Sequence, residues 1–290
     1  MRRMALKLAA PAAEIVVADG DDVERALART RVLGIGAHPD DLELMSWHAI
    51  AAGRAQRSYS GIVVADGADS PRSAADTTAS GDDVKRIRRD EQRRAAAIGD
   101  YAACVLLGYA SADIKHSLNG ALVADLAAVL AATRPDAVFT HSPCDLHDTH
   151  VAVTMHVIAA ARTLPVDARP RALYGCEVWG GLDWLAAPER VAFDVGDATE
   201  LGARLLAVFT SQLRSKRYDE AALGRRRANA VFLEPRAIDR HQATELALDL
   251  SALLREPAPD VHAFVMGLVA RAREAMSERV RRFGSHCGSN

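Results

Sequence analysis

Four times between residues 31 and 163, a short apolar run gives way to a stretch of helical periodicity, and this alternation restricts the fold more than any other feature. "RVLGIGA" (31–37) precedes "DLELMSWHAIAAG" (41–53), and "YSGIVVAD" (59–66) precedes a helix over 83–100. "CVLLGY" (104–109) precedes "LNGALVADLAAVLAAT" (118–133), and "PDAVFTH" (135–141) precedes a helix over about 149–163. Short runs that are apolar throughout suit strands buried on both faces, and a 3.6-residue period marks helices laid over them. Strands and helices in alternation imply right-handed βαβ units. The expectation is therefore an α/β, Rossmann-like fold, a mostly parallel sheet flanked by helices. "ALYGCEVWG", "RVAFDVG" and a helix from about 198 continue the theme, and a helix-rich tail over about 242–283 follows. Without an internal repeat or low-complexity linker, residues 1–290 read as one domain, with a core over about 30–232 and a helical elaboration over about 233–290.

Composition narrows the partners. A net charge of −2 gives no bulk attraction to nucleic acid or to an anionic membrane. No stretch is apolar for the roughly 18 residues that a spanning helix needs, and the start of the chain lacks the sustained apolar region of a secretion signal. Cys104, Cys144, Cys176 and Cys287 form no C-x-x-C pair, which argues against a disulfide framework or a cysteine zinc knuckle and fits a reducing compartment. The expected location is the cytoplasm.

Two polar clusters lie where the first and fourth of these strands end: "GIGAHPDDLELMSWH" (34–48) and "THSPCDLHDTHVAV" (140–153). In a doubly wound sheet those two strands flank the point where strand order reverses, and ligands bind in the crevice there. Two neutral imidazoles and one carboxylate bind zinc with a position left open for water. His38 and Asp41 share one tight turn, and a histidine of the second cluster can complete the set. Asp40 diverges from Asp41 along the chain and is placed to take a proton from water, whose pKa zinc lowers to about 7. A remaining histidine can stabilise an oxyanion or protonate a leaving amine. Alone, the first cluster also reads as a turn whose aspartates cap the next helix.

"GAHPDDLEL" together with "HSPCDLHDTH" resembles the PIG-L/LmbE-like family of zinc-dependent N-deacetylases, which act on N-acetylglucosamine units. "VVADGADSPR", the R-x-x-E of "RRDE" (88–91), "RPDAVFTH" and "FTSQL" (209–213) extend the resemblance over about residues 30–232. It implies His38, Asp41 and His150 as zinc ligands, Asp40 as general base, His147 as transition-state stabiliser or acid, and Arg88 as a substrate-holding residue. Another divalent metal such as Fe²⁺ also suits two histidines and a carboxylate. One departure stands out: the family's second motif reads H-x-D-H, and Thr149 occupies the position of its aspartate. That aspartate orients the first histidine, and Asp145 or Asp148 can substitute.

Other residues carry bland readings beside the functional ones. Glu43 is a first-turn helix glutamate that favours the dipole. His141 and Cys144 lie on the site loop but are not needed by the pattern, and His48 and His156 sit within helices. The arginine-rich run "VKRIRRDEQRRAAA" (84–97) reads as a solvated helix face, which is the competing account of Arg88. In "CEVWGGLDWL" (176–185) a tryptophan can stack on a sugar or simply pack in the core or a subunit interface. The loop 67–83 suits a lid or an ordinary surface loop. "GIGAHP" is no dinucleotide motif, because Pro39 replaces the third glycine and the acidic turn would repel a pyrophosphate. The expected function is metal-dependent removal of an N-acetyl group from an amino-sugar derivative. The alternatives are hydrolysis of another amide or ester, or a non-catalytic sugar-binding protein. Self-association into a homo-oligomer is plausible.

Overall fold

The apolar runs become strands of one sheet. In the computed structural model, which describes residues 6–70, 79–234 and 238–284, the strands are β1 (Glu14–Val16), β2 (Val32–Gly36), β3 (Tyr59–Ala65), β4 (Cys104–Tyr109), β5 (Ala137–His141), β6 (Ala172–Cys176), β7 (Arg190–Asp194) and β8 (Thr244–Asp249). The helices are α1 (Val23–Ala28), α2 (Asp41–Met45), α3 (Trp47–Arg54), α4 (Gly81–Ile98), α5 (Ser111–His116), α6 (Gly120–Thr133), α7 (Asp148–Thr163), α8 (Thr199–Leu206), α9 (Thr210–Leu213), α10 (Tyr218–Phe232) and α11 (Val261–Gly284). The eight strands run in the order β1-β4-β3-β2-β5-β6-β8-β7. Strands β4, β3, β2, β5 and β6 are mutually parallel, whereas β1 and β8 oppose their neighbours. The sheet is thus mixed, flanked by helices, with a long C-terminal helix.

Both faces of the parallel centre are covered, which is why its strands lack polar alternation. One core joins Leu33, Ile35, Ile62 and Val64 of the strands to Leu126 and Val129 of α6 and Val153 and Val157 of α7. A second joins Leu42, Met45, Ile50, Tyr59, Val63 and Phe139 to Leu205 and Phe209. Each such side chain, fully buried, contributes roughly 1.5–3 kcal/mol. At the end of β2 the chain turns directly onto its own strand: a Cβ on Gly36 would come within 2.9 Å of the Asp41 Cβ. That close approach keeps the turn tight against the switch point between β3, β2 and β5.

The structure departs from the sequence expectation in three places. The helix expected over 41–53 is broken at Ser46, whose backbone leaves helical geometry (φ −142°, ψ 43°). The Ser46 hydroxyl bonds the Leu42 carbonyl at 2.7 Å and meets the Tyr59 hydroxyl at 2.9 Å, while the Glu245 carboxylate accepts the Trp47 and His48 amides that open α3. Within the tail expected to be helix-rich, residues 244–249 form β8, inserted between β6 and β7. Strand β1 lies in a stretch with no strand expectation. Part of the loop 67–83, namely 71–78, lies outside the described residues, as does Cys287.

The β8 strand has a structural task. Glu245, almost fully buried, also accepts from Arg226 of α10 at 2.7 Å, and Arg226 in turn bonds the Leu44 carbonyl and lies 4.0 Å over the Trp47 ring. The indole N–H of Trp47 is spent on the Glu43 carbonyl. Held on these sides, the Trp47 ring faces Gly202 of α8, where an added Cβ would lie 2.3 Å from ring carbons. Gly202→Ala is therefore expected to destabilise the protein by about 1–3 kcal/mol through overpacking, read as a lower midpoint in chemical denaturation.

Candidate metal centre

The two polar clusters meet at the ends of the parallel neighbours β2 and β5. After β2, His38 to Asp41 turn tightly, and Asp40 takes a left-handed backbone (φ 96°, ψ −25°) that a non-glycine residue adopts only under restraint. The restraints are visible: its amide bonds Gln92 Oε1, its carbonyl accepts the Leu44 amide that starts α2, and the preceding Pro39 carbonyl accepts from Arg88. After β5, the chain reaches α7 with His147 as its N-cap and His150 in its first turn. Thr154 of α7 ties that helix to the His141 carbonyl at 2.8 Å.

Three donor atoms converge. His38 Nδ1 lies 3.2 Å from Asp41 Oδ2, His150 Nε2 lies 3.4 Å from the same oxygen, and the two ring nitrogens are 3.3 Å apart. Among the described residues these three form the group able to hold a metal ion. Zinc bonds of about 2.0–2.1 Å at tetrahedral angles require donor separations of about 3.3–3.4 Å. The donor set therefore fits a divalent ion held by three protein ligands.

The surrounding groups orient this triad. Asp145 Oδ1 stands 3.4 Å from His150 Nδ1, which leaves Nε2 for the cavity side. Asp145 also accepts the His147 amide at 2.9 Å and the Trp179 amide at 3.0 Å, so one carboxylate joins the loop after β5 to the segment after β6. His141 stacks on His150 at 3.8 Å, and its Nε2 accepts the Ala37 amide at 2.8 Å and lies 3.3 Å from Asp41 Oδ2. Burial pushes the Asp41 carboxyl up, but the adjacent His150 and His141 imidazoles outweigh this and hold it well below the usual carboxylate range. Burial pulls the His141 imidazole down to about 4.

Beside the triad, Asp40 is nearly buried and its Oδ2 accepts from Arg88 Nη2 at 3.0 Å and from the Tyr218 hydroxyl at 2.7 Å. Burial raises its pKa, with the Asp41 charge adding to the shift and Arg88 and Tyr218 opposing it. His147 Nδ1 accepts the Thr149 amide at 3.3 Å, which places the proton of the neutral ring on Nε2. Burial, with His150 and His38 beside it, holds that imidazole below its ordinary pKa. The suggested substitutes for the missing aspartate do not take its place: Asp145 serves His150 and the loops, and Asp148 is an exposed first-turn residue. The Thr149 backbone amide donates to the His147 ring, while the Thr149 hydroxyl has no partner among the described residues.

Arg88 is buried, so the solvated-face reading fails for it. Its Nη2 donates to Asp40 and the Pro39 carbonyl, Nε and Nη1 have no hydrogen-bond partner among the described residues, and the guanidinium lies 5.8 Å from the Phe209 ring. Glu91, one turn on, accepts the Ser211 amide at 2.8 Å and its hydroxyl at 2.7 Å. The separated sequence matches "RRDE" and "FTSQL" are thus one contact. Glu43 is buried beneath the metal turn, accepting from Gln92 and Tyr101, and burial pushes its carboxyl up to about 7. His156 spends both nitrogens, on the Ala152 carbonyl and the Asn119 amide, and is structural. Of the two tryptophans in 176–185, Trp179 lines the cleft under Lys216 and Trp184 packs against the core. The cleft is a cavity of about 670 Å³ whose walls include His38, Asp40, Arg88, His147, Trp179 and Tyr218. Sequence reasoning missed Tyr218 because no spacing rule links residue 218 to residue 40.

Residues 33–161 match the model of the PIG-L family, GlcNAc-PI de-N-acetylase. The N,N'-diacetylchitobiose deacetylase of Pyrococcus horikoshii shares the fold with a TM-score of 0.62 at 19% identity, over 85% of this chain and 93% of its own. A zinc-inhibited form of the teicoplanin deacetylase Orf2 superposes with a TM-score of 0.56 at 18% identity, over 76% and 97%. The 4-carboxy-2-hydroxymuconate hydratase of Pseudomonas putida KT2440 does so with 0.58 at 15% identity, over 76% and 96%. At these identities the likeness establishes the fold. No curated protein matches the sequence. No helix among the described residues is long and apolar enough to cross a membrane.

Glu91→Ala leaves the Ser211 amide and hydroxyl without their charged acceptor, and is expected to cost about 1.5–3 kcal/mol. Denaturant titration checks the magnitude, and faster hydrogen exchange of the 210–213 amides checks the location.

Proposed function

We propose that this protein is a metal-dependent hydrolase that removes an N-acyl group, acetyl above all, from an amino-sugar derivative. The observation that carries the reading is the convergence of His38 Nδ1, Asp41 Oδ2 and His150 Nε2 beside Asp40 and His147 in one cleft. The PIG-L match over residues 33–161 and the deacetylases among the structural relatives support the choice of bond. When bound by these three residues, a divalent ion supplies Lewis acidity that acidifies water and polarises the amide carbonyl; zinc suits the donor set, and iron is the alternative.

The chain's own residues do the rest. Asp40 accepts the proton of the attacking water through Oδ1, since Oδ2 is engaged by Arg88 and Tyr218. The His147 Nε2–H, set by the Thr149 amide on Nδ1, donates a hydrogen bond to the carbonyl oxygen as negative charge develops. The amine departs as it takes the proton that Asp40 received from the water, which returns Asp40 to its carboxylate. Arg88 holds Asp40 and forms part of the wall against which the substrate rests, and Trp179 offers an apolar face for a sugar ring. The hydratase that shares the fold favours a second reading, in which the same centre delivers water to a different electrophile.

Acetate release from N-acetylglucosamine derivatives should be abolished by chelation and restored by zinc, with one equivalent of metal found by elemental analysis and lost in His150→Ala. Asp40→Asn should lower kcat by about 10²–10⁴, and His147→Ala by about 10²–10³. Full activity in Asp40→Asn would defeat the mechanism. Turnover of simple esters or unsaturated acids, with none of any N-acyl sugar, would favour the second reading.

A further inference from the structure

Tyr218 lies beyond the residues 33–161 that match the PIG-L family, yet its hydroxyl reaches the middle of the site. It opens α10, is largely buried, and lines the cleft together with Asp40. The hydroxyl donates to Asp40 Oδ2 at 2.7 Å, the same oxygen that accepts from Arg88 Nη2 at 3.0 Å. No described residue hydrogen-bonds Oδ1. Two donors on one oxygen and none on the other make the carboxylate unsymmetrical.

The segment that delivers Tyr218 is itself anchored to the site. Glu91 grips Ser211 at the start of α9, and the Ser215 and Lys216 amides fold back onto the Gln212 carbonyl just before α10 begins. Helix α4 therefore acts twice on Asp40. Arg88 bonds it directly, and Glu91 holds the strap from which Tyr218 reaches the same oxygen.

We propose that Tyr218 is a positioning residue: with Arg88 it pins Asp40 Oδ2, so that Oδ1 alone is presented to the water that attacks the substrate. The proposal rests on the reading of Asp40 as the base. A carboxylate held by one donor can still turn about its Cβ–Cγ bond; a second donor from a different element removes that freedom. Misplacement of a reacting group by about 1 Å can cost on the order of a hundredfold in rate, and with Arg88 still in place a smaller loss is expected.

Tyr218→Phe keeps the ring and removes only the hydroxyl. Its kcat is expected to fall by roughly ten- to a hundredfold, with KM within about twofold, metal content unchanged and the thermal midpoint retained. In an Asp40→Asn background the same change should have no further effect, because the group through which Tyr218 acts is gone. A wild-type kcat, a loss expressed in KM, or a full loss persisting in Asp40→Asn would each overturn the proposal. Crystal structures of wild type and Tyr218→Phe test it without substrate: a turned Asp40 carboxylate is expected, and an unmoved one would overturn it. Should Asp40→Asn itself keep full kcat, the base assignment falls and the proposal with it; an innocuous Tyr218→Phe alone leaves that assignment standing.

Discussion

Two parallel neighbours, β2 and β5, end side by side, and everything in the site depends on that. Adjacent strands lie about 4.8 Å apart, so the residues that leave their carboxyl ends have to meet. His38 and Asp41 come from one exit, and His147 and His150 from the other. The sheet order reverses here, with β3 beyond β2 and β6 beyond β5, so no crossover helix closes the crevice. About a hundred residues of chain thereby collapse to donor separations of 3.3–3.4 Å.

Placing four polar groups at a buried strand end is costly unless each has a partner. The structure answers with layers behind the triad. Asp145 stands behind His150, and the Ala37 amide donates to His141 Nε2. Gln92 accepts the Asp40 amide and, with Tyr101, donates to Glu43 Oε1, while Glu43 Oε2 has no hydrogen-bond partner among the described residues. Farther out, Arg226 and Glu245 fasten the break between α2 and α3, so that even the C-terminal strand braces the metal turn. The left-handed Asp40 is held by this mesh rather than by local preference.

Much of this was legible from the residues. β2, β3, β4 and β5 announced themselves as short apolar runs ending in polar turns, and their helices as periodic stretches. His38, Asp41 and His150 were recognisable as a motif set, and the geometry brings those three together. What stayed hidden depends on distant partners. "TELALD" carries helix-forming Glu, Leu and Ala and becomes β8 because β6 and β7 offer it ladders on both sides. Ser46 breaks a helical pattern through Tyr59 and Glu245, the latter two hundred residues away along the chain. Tyr218 looks like any amphipathic helix residue until the fold brings it to Asp40. Arg88 read equally well as surface until Asp40 and Phe209 were seen to enclose it.

The Thr149 amide, at the start of α7, donates to His147 Nδ1, which favours a neutral imidazole carrying its proton on Nε2. The centre is thus built to offer a hydrogen bond at that position. The central claim is that His38, Asp41 and His150 hold a single divalent ion. The most direct measurement is anomalous diffraction at the zinc edge from crystals grown with the metal. One peak about 2.0–2.2 Å from His38 Nδ1, Asp41 Oδ2 and His150 Nε2 is predicted, and a zinc-saturated crystal with no peak among those three atoms would contradict the account.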